Sequence, residues 1–303
     1  MKNVIVTGGH GFLGRYVIKE LNKENILSPT HKECDLKKES DIKKLFSENK
    51  EYDTVIHLAA KVGGISFNQE KSAELFYDNL IMGIQLMEHA RIHGIKKFVT
   101  VGTVCSYPKY TQIPFREEHF WNGYPEETNA PYGLAKKMLL VQGQAYKQQY
   151  GFNAIYLILS NLYGPGDNFN PESSHVIPAL IKKVYEAKET NQKSVTVWGD
   201  GLSTREFLYV EDAAKAIVLA ARTYNRSDPI NVGTGVEISI RDLVFKISEI
   251  LKYKGDIEWD TSKPNGQPRR CLDVTKLNFK ARTTLDKGLK KTINWYNSIK
   301  KEK

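Results

Sequence analysis

NVIVTGGHGFLG, residues 3–14, running directly into RYVIKEL, residues 15–21, decides the fold. Asn3 to Val6 is a short, apolar, β-branched run of the kind that forms a buried strand, and RYVIKEL alternates apolar and polar residues with a helical period. Between them lies a turn with glycines at 8, 11 and 14. Taken alone, such a turn is ordinary. Set between a strand and a helix, the three glycines permit a tight turn, a close backbone approach to a pyrophosphate and close packing of helix on strand. The phosphates would then lie at the helix N-terminus, against the N–H groups of Phe12 and Leu13, where free donors and the helix dipole favour anions. The stretch therefore predicts a dinucleotide site.

The second strand is expected to end near Ile26-Leu27, followed by SPTHKECDL, residues 28–36. A cofactor without a 2'-phosphate usually meets an Asp or Glu there, accepting from the ribose hydroxyls. Instead the strand end carries Ser28, Pro29, Thr30, His31 and Lys32, with His10 and Arg15 in or beside the glycine turn. This set favours a 2'-phosphate and hence NADP, with NAD as the alternative. Asp35, followed by Leu36, is expected near the adenine edge. DTVIHLAAKVGG is the third strand (Thr54 to Leu58), and Leu58, Ala59 and Ala60 leave room for the cofactor at its carboxyl end. A helix containing Tyr77-Asp78-Asn79 follows, with Gly94 as its cap. KKFVTVGT then delivers Thr103, Val104, Cys105 and Ser106 to the same sheet edge. Strands alternating with helices predict a parallel, doubly wound, Rossmann-type α/β sheet.

Tyr132 and Lys136, in NAPYGLAKK, stand four residues apart, which on a helix puts them on one face a turn apart. An ammonium beside a phenol lowers its pKa and makes it a usable proton donor at neutral pH. The helix is expected from Gly133 to Tyr146. Beyond it, NAIYLILSNLYGPG is read as one buried strand that puts Asn161 at the sheet edge. From Asp167 the pattern becomes a smaller, mixed α/β substrate region. We expect a dinucleotide-binding domain over 1–165, to which 205–232 returns, and a substrate domain over 166–204 and 233–303.

The 303 residues, 41% hydrophobic and 26% charged, suit a folded chain with a sizeable core and exclude a largely disordered one. No apolar run approaches the ~20 residues of a membrane-spanning helix. Cys34, Cys105 and Cys271 make neither a disulfide framework nor a metal spacing, so free thiols in the cytoplasm are expected. The net charge of +9 sits largely on Lys-rich helix faces. Without an Arg-rich arm or an aromatic-basic platform it points to a small anionic substrate rather than nucleic acid.

Together, Gly8/Gly11/Gly14, HLAA and the Tyr132/Lys136 pair resemble the extended short-chain dehydrogenase/reductase family over nearly the whole length. AAKVGGI, VCSYP, NAPYGLAK, NLYGPGDNF, SHVIPALI, VWGDG with TREFLYV, NVGTG and KPNGQPRR narrow the likeness to its GDP-L-fucose synthase branch. That resemblance implies reduction of the carbon 4 ketone of a GDP-4-keto sugar, with Tyr132 as proton donor and Lys136 holding the nicotinamide ribose. It also implies Cys105 and His175 as base and acid at carbons 3 and 5. Arg205, Arg270 and Lys183 would meet the diphosphate, Asn161 and Trp198 would shape the sugar and nucleotide pocket, and a homodimer is expected. The chain departs from the branch at Thr103, where the family carries Ser, and at His10, where an Arg is usual. These departures suggest a related sugar such as a heptose. A reductase without epimerisation, a 4-epimerase or 4,6-dehydratase of the same fold, and a non-catalytic dinucleotide-binding protein are the alternatives.

Overall fold

The computed structural model describes residues 1–263 and 266–301. In chain order the regular elements are β1 (Asn3–Thr7), α1 (Phe12–Glu20), β2 (Asn25–Leu27), α2 (Glu39–Glu48), β3 (Thr54–His57), α3 (Ile65–Glu70), α4 (Ser72–Ile92), β4 (Lys97–Thr103), α5 (Ala130–Tyr150) and β5 (Ala154–Leu159). They continue with β6 (Asn161–Tyr163), α6 (Val176–Glu189), β7 (Ser194–Trp198), β8 (Thr204–Tyr209), α7 (Val210–Thr223), β9 (Ile230–Val232), β10 (Glu237–Ser239), α8 (Ile240–Leu251), β11 (Asp256–Asp260) and α9 (Leu285–Lys301).

Six strands form a parallel sheet in the order β2-β1-β3-β4-β5-β9. β3 and β5 are buried along their whole length, because helices cover both faces and a two-sided strand must be apolar throughout. One face packs Phe46, Leu86, Phe98 and Leu140 into a core under α2, α4 and α5. The other packs Val4, Val6, Ile56 and Leu157 against Val17, Ala213 and Ile217 of α1 and α7. The resulting fold is a Rossmann-type doubly wound sheet. Its carboxyl edge gathers the Gly8–Gly11 turn, the Leu58–Gly64 loop and the turn after Thr103, the place where open α/β sheets bind ligands.

α5 starts at Ala130 rather than Gly133, with Pro131 in its first turn, and runs to Tyr150 before Gly151 ends it in the left-handed conformation. NAIYLILSNLYG makes two strands, not one. Ser160 N–H closes the ladder with Val232 O at 3.1 Å, and the chain then leaves as β6 to pair with β8 in a separate sheet, β10-β8-β6. The return to the large sheet accordingly runs through α7 and β9, whereas 205–209 of β8 stay with the small one. Leu277 and its neighbours Phe279 and Ala281 also pack on the large sheet's core, although they lie in the stretch expected to belong to the substrate region. β6, β8, α6, α8 and α9 enclose a third core of Tyr163, Ile181, Phe207, Leu243 and Tyr296. β7 and β11 pair beside it.

Candidate active site

The glycine turn is shaped for a phosphate. Gly8 has φ +73°, and a Cβ on it would stand 2.6 Å from Ala59 N, so the Leu58-Ala59-Ala60 loop presses directly on the turn. A Cβ on Gly14 would stand 2.1 Å from Gly8 O, so only glycine lets α1 approach this closely. Gly11 caps α1 with extended backbone and no side-chain hydrogen bond, leaving the first N–H groups, including those of Phe12 and Leu13, aimed at the edge of the sheet. A pyrophosphate fits this cradle. Gly9, which the motif spacing does not single out, is crowded by side chains rather than backbone, since its Cβ would meet Ser28 Oγ at 2.1 Å and Ile18 Cδ1 at 2.6 Å.

At the end of β2, His10 Nε2 lies 3.0 Å from Ser28 O, which brings the imidazole over the expected ribose position. His31 is an exposed neighbour of Asp35 at 3.8 Å. Asp35 itself accepts from Lys37 N, and Leu36 is buried in the core. The loop also contains an acid that its position in sequence obscures. Glu33 folds back so that one carboxylate oxygen accepts from Thr30 N at 2.7 Å and Thr30 Oγ1 at 2.8 Å. Arg15 does not join this group. With Phe12, Tyr16, Lys19, Pro165 and Trp295 it lines a separate groove of about 280 Å³ on the outer side of α1.

Thr103, Cys105 and Tyr132 converge because two elements touch without side chains between them. The 3₁₀ turn Val104–Ser106 lies against the first turn of α5, where a Cβ on Gly133 would meet Cys105 O at 2.7 Å. Ser106 Oγ donates to Gly133 O at 2.7 Å and Lys137 Nζ donates to Ser106 O at 3.3 Å, riveting turn to helix. Thr103 Oγ1 accepts the Cys105 N–H at 3.2 Å, which leaves its own hydrogen available for another acceptor. Behind them Lys136 is 2% exposed, and burial pulls its pKa from 10.5 to about 8. His57, fully buried, shares a 2.8 Å hydrogen bond with Thr7 Oγ1 and is held well below its usual pKa by burial and then by Lys136.

The phenol runs against expectation. The four-residue spacing predicts that Lys136 lowers the Tyr132 pKa, yet in the ligand-free fold burial raises it and Cys105 adds to the rise. Desolvation sets the phenol, and the charge of the neighbouring ammonium is itself disfavoured by burial.

Arg270, 6% exposed, reaches the same point from the C-terminal segment, with Nη1 donating to Cys105 Sγ at 3.3 Å and Nε to Gln267 Oε1 at 2.9 Å. Arg205, at the start of β8, donates to Thr204 O at 2.7 Å; burial and then Arg270 lower its pKa to about 9. Glu206 and Glu211, the carboxylates nearest to Arg205 in sequence, are engaged elsewhere. Glu206 accepts from Leu272 N and Gly235 N, and Glu211 pairs with Lys291. Glu126, not singled out by its sequence context, is a buried carboxylate facing Arg270 and Arg205.

His175 caps α6 through extended backbone without spending its ring on a cap hydrogen bond. The Ser173–Ser174 backbone beside it packs on Gly64. His175 is exposed, and desolvation by the surrounding protein nonetheless lowers its pKa. No described contact joins it to Cys105. Asn161 Nδ2 is engaged with Glu206 O at 2.9 Å. Lys183 and Trp198 form a separate cluster, the indole lying 5.6 Å from Lys183 Nζ and 5.5 Å from Lys263 Nζ. In the KPNGQPRR motif, Pro264 and Asn265 lie outside the described residues.

A nucleotide-cradling turn, a tyrosine and a buried lysine one turn apart on α5, and a downstream cationic pocket on one Rossmann edge define an extended short-chain dehydrogenase/reductase. The chain belongs to the NAD dependent epimerase/dehydratase family, whose model matches residues 4–233. Within it, the chain is 39% identical to GDP-L-fucose synthase of Sinorhizobium fredii (strain NBRC 101917 / NGR234) over 302 residues, 98% of this chain and 96% of that one. Among solved structures it is similar to a GDP-6-OMe-4-keto-L-xylo-heptose reductase from C. jejuni, with TM-score 0.90, 27% identity and 98% of both chains covered. It is also similar to a GDP-L-fucose synthetase from Naegleria fowleri bound to NADP, with TM-score 0.89, 28% identity and coverage of 99% of this chain and 95% of that one. A nicotinamide dinucleotide is the cofactor of such a site.

Proposed function

We propose that this chain reduces the carbon 4 ketone of a GDP-4-keto sugar, a 6-deoxy-hexose or a heptose, with NADPH, and epimerises carbons 3 and 5 of the same substrate. The observation that carries the reading is the meeting of Thr103, Cys105 and Tyr132 where the turn after β4 touches α5. The bound cofactor supplies hydride to carbon 4. Tyr132 gives its proton to the carbon 4 oxygen, for which the raised phenol pKa keeps that proton in place until charge develops on the oxygen. Thr103 donates a second hydrogen bond to the same oxygen, and Lys136 holds the ribose side of the cofactor. Cys105 and His175 exchange protons at the carbons next to the ketone, which the ketone acidifies. Arg205 meets the diphosphate, Trp198 and Lys183 the nucleotide, and Asn161 borders the sugar.

His10, His31 and Lys32 support NADPH. Glu33, turned back over Thr30, favours NADH as the second reading, since a carboxylate there accepts from ribose hydroxyls and repels a 2'-phosphate. The ratio of kcat/KM for the two cofactors decides between them. The large apolar side chains exposed on α4 and α5, Tyr77 and Val141 among them, support a homodimer through these helices. Three free cysteines support a reducing, cytoplasmic setting; among the described residues no helix is long and apolar enough to cross a membrane.

The test is incubation with NADPH and a panel of GDP-4-keto sugars in deuterated water, with product stereochemistry and labelling read by NMR. Stoichiometric NADPH oxidation lost in Tyr132→Phe is expected, together with deuterium at carbons 3 and 5 lost in Cys105→Ser and His175→Asn. A retained cofactor with no net oxidation would sink the reductase. Reduction without labelling would leave a 4-reductase served by a separate epimerase; labelling indifferent to both variants would refute the roles given to Cys105 and His175.

A further inference from the structure

We propose that Arg270 is a positioning residue for Cys105: its guanidinium, anchored before substrate arrives, holds the sulfur as a thiolate aimed at the sugar. The inference rests on the reading of Cys105 as the epimerising base and supplies what that base needs. A thiol ionises ordinarily near ~8.5, so at neutral pH it is mostly protonated unless a cation stabilises the anion.

The geometry points to Arg270 as that cation. Its Nη1 donates to Cys105 Sγ at 3.3 Å while Nε donates to Gln267 Oε1 at 2.9 Å. Gln267, 3% exposed, in turn donates through Nε2 to Pro108 O at 3.2 Å and Lys109 O at 2.7 Å. Pro108 and Lys109 follow the very turn that carries Cys105. The Gln267–Arg270 segment therefore grips both the thiol and the loop beneath it, across 165 residues of sequence. Thr103 Oγ1 also fixes the Cys105 N–H, so the backbone that carries the sulfur is held as well.

The charges around it agree. Tyr132 faces Cys105 from α5, and Arg205 from β8. Glu126, in the loop before α5, faces the two arginines. Its carboxylate, held by Thr128 and Asn129, is spent on steadying them. Arg270 thus brings a buried cation directly to the sulfur. In the reaction the thiolate takes the proton from the carbon beside the ketone, the C–H electron pair becomes the enolate, and His175 gives a proton to the opposite face, after which solvent takes the thiol proton and reprotonates the imidazole. A sequence reading that sends Arg270 to the diphosphate overlooks this contact, because neither partner announces the other along the chain.

The test is the pH dependence of Cys105 alkylation by iodoacetamide in the full-length, cofactor-free protein, followed at that residue by peptide mass spectrometry. Cys34 and Cys271, both buried, serve as internal references. In Arg270→Gln the midpoint is expected to rise by about one to three pH units, so that the rate at pH 7 falls several-fold for the smallest such shift and more than tenfold for the largest. Arg270→Lys should restore most of it, and Gln267→Met, which keeps the charge but frees it, should shift less in the same direction. An unmoved midpoint in folded Arg270→Gln overturns the proposal; if that variant does not fold, an unmoved midpoint in Gln267→Met does so. The deuterium-incorporation pH profile of Arg270→Gln should shift with the thiol. A thiol that shifts while labelling ignores Cys105→Ser supports the Arg270–Cys105 pairing and removes only the base reading.

Discussion

Replacing Lys136 with methionine should stabilise the ligand-free protein while abolishing the proposed reductase activity. The ammonium is 2% exposed, and burial alone accounts for the fall of its pKa from 10.5 to about 8. At roughly 1.4 kcal/mol per pKa unit, keeping that charge in the folded state at pH 7 costs on the order of 3 kcal/mol. Below about pH 8 the group is charged in both states and the whole cost is present. Between about 8 and 10.5 the unfolded chain binds the proton and the folded one does not, so wild-type stability rises with pH through this window. Above it both forms are neutral and the cost is gone. Methionine fills a similar volume without a charge, so Lys136→Met should gain up to about 3 kcal/mol at pH 7 and less than about 1 kcal/mol at pH 10. Lys97 and Lys137, also lowered to about 8 by burial, titrate in both proteins and cancel. Urea unfolding of cofactor-stripped protein at the two pH values measures this. A gain that persists unchanged at pH 10, or a loss at pH 7, would falsify the assignment of a buried, desolvated ammonium to this site.

Other outcomes follow from contacts elsewhere. Gly14→Ala forces a Cβ to 2.1 Å from Gly8 O, so the phosphate turn must open; NADPH affinity by fluorescence titration should fall at least tenfold, and an unchanged affinity contradicts the cradle. Asn231→Leu removes partners from Phe115 O, Asp273 O and Tyr107 OH at once, which should cost on the order of 3 to 5 kcal/mol in urea unfolding. A cost under about 1 kcal/mol would show that water or a shifted loop replaces the amide. Tyr77→Glu with Val141→Glu should turn the proposed dimer into a monomer by sedimentation velocity, an outcome excluded if the double variant keeps the wild-type coefficient.

What was legible in the sequence is what local geometry dictates. Strand, glycine turn and helix at residues 3–21 lie contiguous in sequence, so their chemistry is visible without the rest of the chain. The same holds for Tyr132 and Lys136, since a helix brings residues four apart together wherever it lies. Thr103 and Cys105 were legible as the end of a strand. The break between β5 and β6 was not, because Ser160-Asn161 carries no glycine or proline between the apolar LIL and LY, and only the partners available to each half, Val232 and Phe207, separate them.

Tertiary structure alone decided three things. It set the direction of the Tyr132 pKa, because desolvation depends on everything packed around a group and not on the spacing of one neighbour. It brought Glu126 and Gln267 to the site, two residues whose types are common on any surface and whose burial comes from chain segments far apart. And it set Arg270 on the sulfur of Cys105, a contact between residues 165 apart that no periodicity encodes. Sequence by itself determined the cofactor turn and the tyrosine–lysine pair, since each is written within a few residues; the electrostatics that make a site of them belong to the fold.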